Sequence, residues 1–373
     1  MRIAFVTEVW RPFINGVVTR LAATVVELRK AGHEVLVIGP EGGEPDFHGA
    51  VVRGMPTISI GFIYGGQPWG WPLLPRVSRY LADFAPDVVH VINPVFLGMA
   101  GVAAARRAKL ALVASYHTDV PRYASYYHLG WASGGIWRVV RALHNRAQVN
   151  LATSESALAE LRGHGIRSPE LWVRGVDAEL FNPSRRPGSR SEFTEDPNVA
   201  VALYVGRLGG EKGLDRLLPL SRAPGVHLVV VGEGPEDRRI RALLSGPSVT
   251  FTGPLRGVEL ADAYAGADVF VFPSTTDTLG LVILEALAAG LPVVAAETPA
   301  SVELLSTCPA SRIFPADQPE LVPKLVAEAL SSMSLAERTA CVRSRVSEHT
   351  WAVATEGLLD HYRAAVTAAH AQA

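Results

Sequence analysis

Asp277 and Glu285 bracket the start of a helical pattern, and Arg207 and Lys212 occupy a glycine-rich turn. These types at these places suit a polyol carrying a diphosphate. In Pro273–Ala295, "PSTTDTLGLVILEALAAGLPVVA", an apolar run ends at Phe272, a polar loop follows and a helix starts near Gly280. Asp277 falls in the loop and Glu285 about one turn into the helix. The backbone N–H groups of Gly280, Leu281 and Val282 then point out of a helix N-terminus, a ready seat for a phosphate. Carboxylates accept hydrogen bonds from hydroxyls, so Asp277 and Glu285 suit a sugar or ribose beside that seat. A surface loop with an acidic helix cap accounts for the same residues. In Tyr204–Leu217, "YVGRLGGEKGLDRL", a strand leads into a glycine-rich loop and Glu-Lys-Gly opens a helix. Arg207 as a planar fork and Lys212 as a point charge could neutralise a diphosphate. A solvated basic loop is the plainer alternative.

The first half offers weaker candidates. Asn15-Gly16 follows an opening strand and precedes a helix, where a glycine lets a phosphate approach the backbone. An ordinary turn suits Asn-Gly equally well. In Ser115–Tyr123, "SYHTDVPRY", His117 follows a strand, and Asp119, Arg122 and Tyr123 are candidates for contacts to an acceptor. A lone histidine is more often structural than catalytic.

These residues need strands to hold them. Apolar runs at Ile3–Val6, Glu34–Ile38, Val88–Val91, Leu110–Ser115 and Val149–Thr153 are rich in Val, Ile and Ala without clean alternation. That is the pattern of parallel strands buried on both faces. Val17–Lys30 between the first two is helical, with Gly32 as its stop. A second series follows at Val201–Val205, Val226–Val231, Val249–Thr252, Val269–Phe272 and Pro292–Ala295. The polar stretch Ser184–Pro197 reads as a linker between the two series. The fold class expected is α/β, with two doubly wound Rossmann-like domains facing across a cleft. Their expected bounds are 1–184 and 198–349, with 350–373 as a final helix.

Composition narrows the function. With 373 residues and a formal net charge of −1, the chain lacks the basic footprint of a nucleic-acid binder. Two cysteines without metal spacing, Cys308 and Cys341, fit a reducing cytosol. No apolar run reaches the ~20 residues of a membrane span, and the first residues read as a strand and not a signal peptide. The expectation is a cytoplasmic protein, with peripheral contact at the inner membrane surface left open. The aromatic-rich segments Phe62–Leu74 and Tyr123–Arg138 suit either an acceptor pocket, a membrane patch or a buried aromatic layer.

The Asp277–Glu285 segment resembles the signature of the retaining GT-B glycosyltransferases of family 4, where two acidic positions precede "ALA-G-PVVA". The resemblance implies that Asp277 contacts hydroxyls of the donor sugar and Glu285 holds the nucleotide ribose. Asp277 is one methylene shorter than the residue commonest there. Gly206–Gly213 is similar to the family's "GR-x-x-x-x-KG", which implies that Arg207 and Lys212 clamp the diphosphate. "P-x-x-N-G-V" resembles a bacterial subgroup of mannosyltransferases and glycolipid synthases, which implies that Asn15 and Gly16 face the donor phosphate. His117 matches the family's histidine beside the reacting sugar carbon. "GVDAELFNP" (Gly175–Pro183), "VVGEGPE" (Val230–Glu236), "FTGPL" (Phe251–Leu255) and "TWAVATEGLLDHY" (Thr350–Tyr362) extend the resemblance over nearly the whole chain. The last resembles the family's C-terminal helix, which returns to the first domain.

The resemblance implies transfer of a hexose from a nucleotide-diphosphate sugar of the GDP-mannose, UDP-glucose or UDP-GlcNAc type. The expected acceptor is a hydroxyl of a glycolipid or of a small polyol or metabolite. No cofactor and no metal are expected, since side chains and a helix end serve the diphosphate and no Asp-x-Asp motif occurs. The rivals are a nicotinamide-dependent oxidoreductase, a non-catalytic nucleotide-sugar-binding module, and a retaining hydrolase or phosphorylase. An oxidoreductase predicts G-x-G-x-x-G, but Gly232-Glu233-Gly234 is followed by Asp237 at the third place.

Overall fold

The structure, a computed structural model, describes residues 1–13, 15–59, 68–117, 133–277 and 279–371. The chain divides into two compact units, Met1–Arg174 with Trp351–Ala373, and Gly175–Thr350.

The first unit is built on an eight-stranded sheet. Its strands are β1 (Arg2–Thr7), β2 (Glu34–Pro40), β3 (Asp46–Phe47) and β4 (Ala50–Met55), then β7 (Val88–Ile92), β8 (Ala111–Tyr116), β9 (Val149–Ala152) and β10 (Pro169–Leu171). A separate hairpin pairs β5 (Thr57–Ser59) with β6 (Pro68–Gly70). The order is β10-β9-β8-β7-β1-β2-β4-β3, parallel throughout except for β3 against β4. Alternate residues of each strand face opposite layers. Ile3 and Phe5 pack with Leu21 and Val25 of the helix Gly16–Lys30 and with Leu358 and Tyr362 of the helix Trp351–His370. Ala4 and Val6 pack on the other face with Val77 and Leu81 of Leu74–Phe84 and Ala100 and Ala104 of Leu97–Arg107. Each fully buried aliphatic or aromatic side chain contributes about 1.5–3 kcal/mol, which selects the two-faced apolar composition.

The second unit repeats the scheme with a six-stranded parallel sheet of order β13-β12-β11-β14-β15-β16. These are β11 (Ala200–Val205), β12 (Val226–Val231), β13 (Val249–Gly253), β14 (Val269–Phe272), β15 (Val293–Ala296) and β16 (Arg312–Phe314). Val201 and Leu203 enter one core layer, Ala202 and Tyr204 the other. In both sheets the order reverses at a central pair, β1/β7 and β11/β14. Crevices beyond the carboxyl ends of such a pair are where open α/β sheets bind ligands.

The stretch expected as a linker belongs to the second unit. It forms short helical turns, Pro183–Arg185, Arg186–Ser189 and Arg190–Glu192. Arg186 and Arg190 each bond one carboxylate oxygen of Asp268, and Arg185 pairs with Asp262 at 3.1 Å. Asp268 Oδ2 also accepts from Val201 N at 2.8 Å. A basic, polar composition reads as solvated until the carboxylates that pair with it are located. The division therefore falls at Arg174/Gly175 and not near residue 184, and the last helix joins the first unit.

Candidate active site

The two segments carrying Arg207, Lys212, Asp277 and Glu285 leave the carboxyl ends of β11 and β14, the adjacent strands at which the second sheet reverses. Lys212 Nζ lies 2.9 Å from Asp277 Oδ2, and both side chains are largely buried. Asp277 Oδ1 accepts from Leu279 N at 3.3 Å and Gly280 N at 3.2 Å, just ahead of the helix Leu281–Ala288. Burial raises the Asp277 carboxyl, but the Lys212 ammonium and these N–H groups outweigh it and hold it below the ordinary Asp value. Gly280 serves as the N-cap at φ +60°, a left-handed conformation that glycine adopts without strain. The first intrahelical bonds run from Ile283 and Leu284 to Gly280 O, so Leu281 and Val282 present their N–H groups at the helix end. Gly280 N–H, expected to serve a phosphate, is instead bonded to Asp277.

Glu285 lies one turn further on, where Tyr264 Oη donates to Glu285 Oε2 at 2.9 Å. Burial pushes the Glu285 carboxyl up to about 7, against the lowering effect of the Tyr264 hydroxyl. Arg207 Nη2 bonds Glu211 Oε1 at 2.5 Å, and Glu211 is buried. A Cβ on Gly209 would fall 2.5 Å from that carboxylate, so a side chain there would displace it from its place beside Arg207. Thr276 Oγ1 donates to Glu211 O at 3.1 Å and ties the two loops together. Glu211 was absent from the sequence-derived site although it stands four residues after Arg207. The helix after Lys212 starts as 3₁₀ turns, Gly210–Lys212 and Leu214–Leu217, joined at left-handed Gly213, and becomes an α-helix only over Leu218–Ser221.

The Gly-x-Gly of the second unit has a packing role. Leu208 N donates to Glu233 O and Glu236 N donates to Leu208 O, each at 2.9 Å. A Cβ at Gly232 would meet Gly206 O at 2.0 Å, and one at Gly234 would meet Leu208 O at 2.4 Å. The turn Gly232–Glu236 thus seats the loop that carries Arg207.

In the first unit His117 follows β8 directly and is 3% exposed. Its backbone N donates to Asn93 Oδ1 at 2.9 Å, and its Nε2 lies 2.8 Å from Ser115 Oγ. Burial first, then the Arg20 guanidinium and the neighbouring His90 and His144, hold the imidazole well below the ordinary His value, so it is neutral. Arg20 is fully buried, 3.8 Å above the Trp172 ring, with Nη2 donating to Trp172 O and Val173 O at 2.7 Å. An arginine inside a helix reads as solvent-facing in sequence, which is why this cation was not anticipated. Asn15 is the N-cap of the helix Gly16–Lys30, its side chain accepting from Val18 N at 2.9 Å.

A pocket at the β1/β7 reversal is lined by Thr7, Glu8, Asn15, Trp69, Ile92 and Asn93. Glu8, also unanticipated, accepts from Phe96 N at 2.7 Å, Gly98 N at 2.8 Å and Leu97 N at 2.9 Å, capping the helix Leu97–Arg107. Burial pushes its carboxyl up to about 7 despite these bonds. Asp119, Arg122 and Tyr123 lie outside the described residues. Of the aromatic segments, Trp69 and Trp137 are buried and Trp71 is 44% exposed. Trp137 packs in a buried cluster with Tyr116, Val140 and Leu161, and its outer face stacks on the exposed His164 at 3.8 Å between ring centroids.

A model of Glycosyltransferase Family 4 matches residues 14–180, and a model of glycosyl transferases group 1 matches residues 200–332. The chain is 36% identical to a GDP-mannose-dependent alpha-mannosyltransferase of Mycolicibacterium smegmatis, over 98% of this chain and 97% of that one. It is 34% identical to one of Corynebacterium glutamicum, over 97% and 88% respectively. The fold matches a sucrose-phosphate synthase from Thermosynechococcus elongatus with a TM-score of 0.80, at 21% identity over 98% and 99% of the two chains. It also matches Anabaena HepE, solved in complex with UDP and glucose, with a TM-score of 0.78 at 20% identity over 97% and 99%. These are GT-B glycosyltransferase structures, and the two Rossmann-like sheets described above share their architecture. With more than a third of its residues identical to such a mannosyltransferase along almost its entire length, the chain belongs to the family 4 glycosyltransferases.

Proposed function

We propose that the chain is a retaining, metal-independent mannosyltransferase, moving mannose from GDP-mannose to a hydroxyl of a glycolipid or small polyol. The observation that carries this reading is the Lys212–Asp277 pair at the N-terminus of Leu281–Ala288, with Glu285 one turn on. The GDP-mannose dependence printed for the relatives supports the choice of donor.

In this reading Arg207, Lys212 and the N–H groups of Leu281 and Val282 take the diphosphate. The phosphate displaces the Glu211 and Asp277 carboxylates from their cations, and Asp277 turns to the sugar hydroxyls. Glu285 accepts from the ribose, Asn15 and Gly16 face the donor phosphate, and His117 contacts the sugar. The acceptor hydroxyl attacks the anomeric carbon on the face the diphosphate leaves. The C1–O bond to the diphosphate breaks, the new C1–O bond forms, and the hydroxyl proton passes to a diphosphate oxygen. The cations stabilise negative charge that grows on the leaving group, which is electrostatic catalysis.

Thermal shift against GDP-mannose, UDP-glucose and UDP-GlcNAc tests the donor, since a ligand bound only by the folded state raises Tm. GDP-mannose is expected to give the largest shift. NMR of the product is expected to show the donor's anomeric configuration, with the rate unchanged by EDTA. An inverted product, or activity lost to EDTA and restored by magnesium or manganese, refutes the mechanism.

A further inference from the structure

A row of four buried side chains in the first unit ends on His117. Tyr362 Oη lies 2.7 Å from His90 Nδ1, His90 Nε2 lies 2.8 Å from Ser115 Oγ, and Ser115 Oγ lies 2.8 Å from His117 Nε2. Tyr362 comes from the helix Trp351–His370, His90 from β7 and Ser115 from β8. None of the four is more than 3% exposed.

Hydroxyls and neutral imidazoles each donate and accept, so such a row can run in either direction. Its far end decides the direction. Among the described residues, the Tyr362 hydroxyl has no hydrogen-bond partner besides His90. A phenol that only accepted there would leave its own proton unpaired in the core, which is costly. Tyr362 therefore donates to His90 Nδ1. The His90 proton then sits on Nε2 and goes to Ser115 Oγ, and the Ser115 proton goes to His117 Nε2. Burial, followed by the nearby Arg20 charge, keeps both imidazoles neutral. A neutral His117 that accepts at Nε2 carries its proton on Nδ1.

We propose that Tyr362, His90 and Ser115 are positioning residues that fix His117 as the Nδ1–H tautomer, so that it meets a sugar hydroxyl as a hydrogen-bond donor. The catalytic consequence rests on the reading of His117 as a donor-sugar contact, whereas the tautomer does not.

The test is ¹⁵N NMR of the full-length protein labelled at histidine, with the His117 signals identified by their loss in His117→Gln. In the unsubstituted protein, the expected result is a protonated Nδ1 and an unprotonated Nε2, unchanged across neutral pH. Tyr362→Phe keeps the ring but removes the proton that sets the direction. His117 should then populate both tautomers, and kcat should fall about tenfold or more, since a misdirected imidazole is poorly tolerated in catalysis. Protonation at Nε2 in the unsubstituted protein overturns the proposal, whether or not the variant folds. So does a Tyr362→Phe protein with the original tautomer and original kinetics. If the tautomer is as stated but His117→Ala turns over normally, the sugar contact is refuted while the hydrogen-bond direction stands.

Discussion

Lys212 and Asp277 neutralise each other when no ligand is bound, so neither can be altered without changing its partner. Lys212→Ala is expected to lower kcat by roughly 100-fold or more, comparable to losing one oxyanion donor. It also removes the cation that holds the Asp277 carboxyl down. The acidic limb of the rate profile should therefore move to higher pH in Lys212→Ala but not in Arg207→Ala. The double variant Lys212→Ala/Asp277→Asn should lose less than the product of the single losses, as contacting residues do. Glu285 is expected to behave differently, because its carboxyl is raised to about 7. Ribose hydroxyls donate to the ionised form, so donor KM should rise as pH falls through about 7. Glu285→Gln should flatten that dependence and act on KM more than on kcat, since the ribose does not change in the reaction. A raised carboxyl pKa favours the folded state at low pH, and that contribution fades as pH rises from about 4.5 to about 7. Glu285→Gln should thus melt above the unsubstituted protein at alkaline pH, with the gap closing in acid. Calorimetry at several pH values checks it. At this scale the sequence reveals which residues gather in the second unit, because their segments end adjacent strands. It does not reveal that Glu211 shields Arg207, or that Arg20 is buried beside His117. Pairing partners are chosen by the fold, not by local spacing.

The strands and the turns between them were legible to different degrees. β1, β7, β11, β12 and β14 are dominated by Val, Ile, Leu, Ala and Phe and largely buried on both faces, so composition locates them. β10 and β16 span three residues each and pair only along one edge, too little for a pattern. The turn Gly232–Glu236 looked like an incomplete dinucleotide fingerprint. Its glycines instead admit the backbone of Gly206–Leu208, a contact between loops that no local spacing encodes. Gly234→Ala should push that loop aside, lowering Tm and raising donor KM about tenfold or more, with smaller change in kcat. Ala at Gly246, where a Cβ meets nothing within 4 Å, is the control and should leave KM unchanged. If both variants bind donor alike, the turn does not seat the clamp loop.

For the whole molecule, the order of apolar runs predicted two Rossmann-like units, and the comparisons with solved structures agree. The division between the units was harder to read, because Arg186 and Arg190 meet Asp268 only once β14 is in place. Asp268→Ala takes the carboxylate from both guanidinium groups, which keep only backbone carbonyls, and leaves Val201 N–H without its acceptor. Breaking a buried pair from one side costs about 3–5 kcal/mol, and these groups are mostly but not wholly buried, so the lower figure is expected. Denaturant unfolding should show that loss in the transition of the second unit. An unchanged midpoint there refutes the anchoring.

The helix Trp351–His370 has a consequence for the order of events during synthesis. A ribosome delivers β1–β10 first, yet these strands still lack Leu358, Leu359 and Tyr362 on one layer of their core. Gly175–Thr350 is contiguous and has every strand of its sheet before Trp351 is translated. The later half of the message is therefore the first to reach a finished domain. The earlier half waits roughly 10–35 s, at about 5–20 residues per second, with an apolar face uncovered. A nascent chain arrested just before Trp351 should be held by chaperones through that face, and release should coincide with emergence of the final helix.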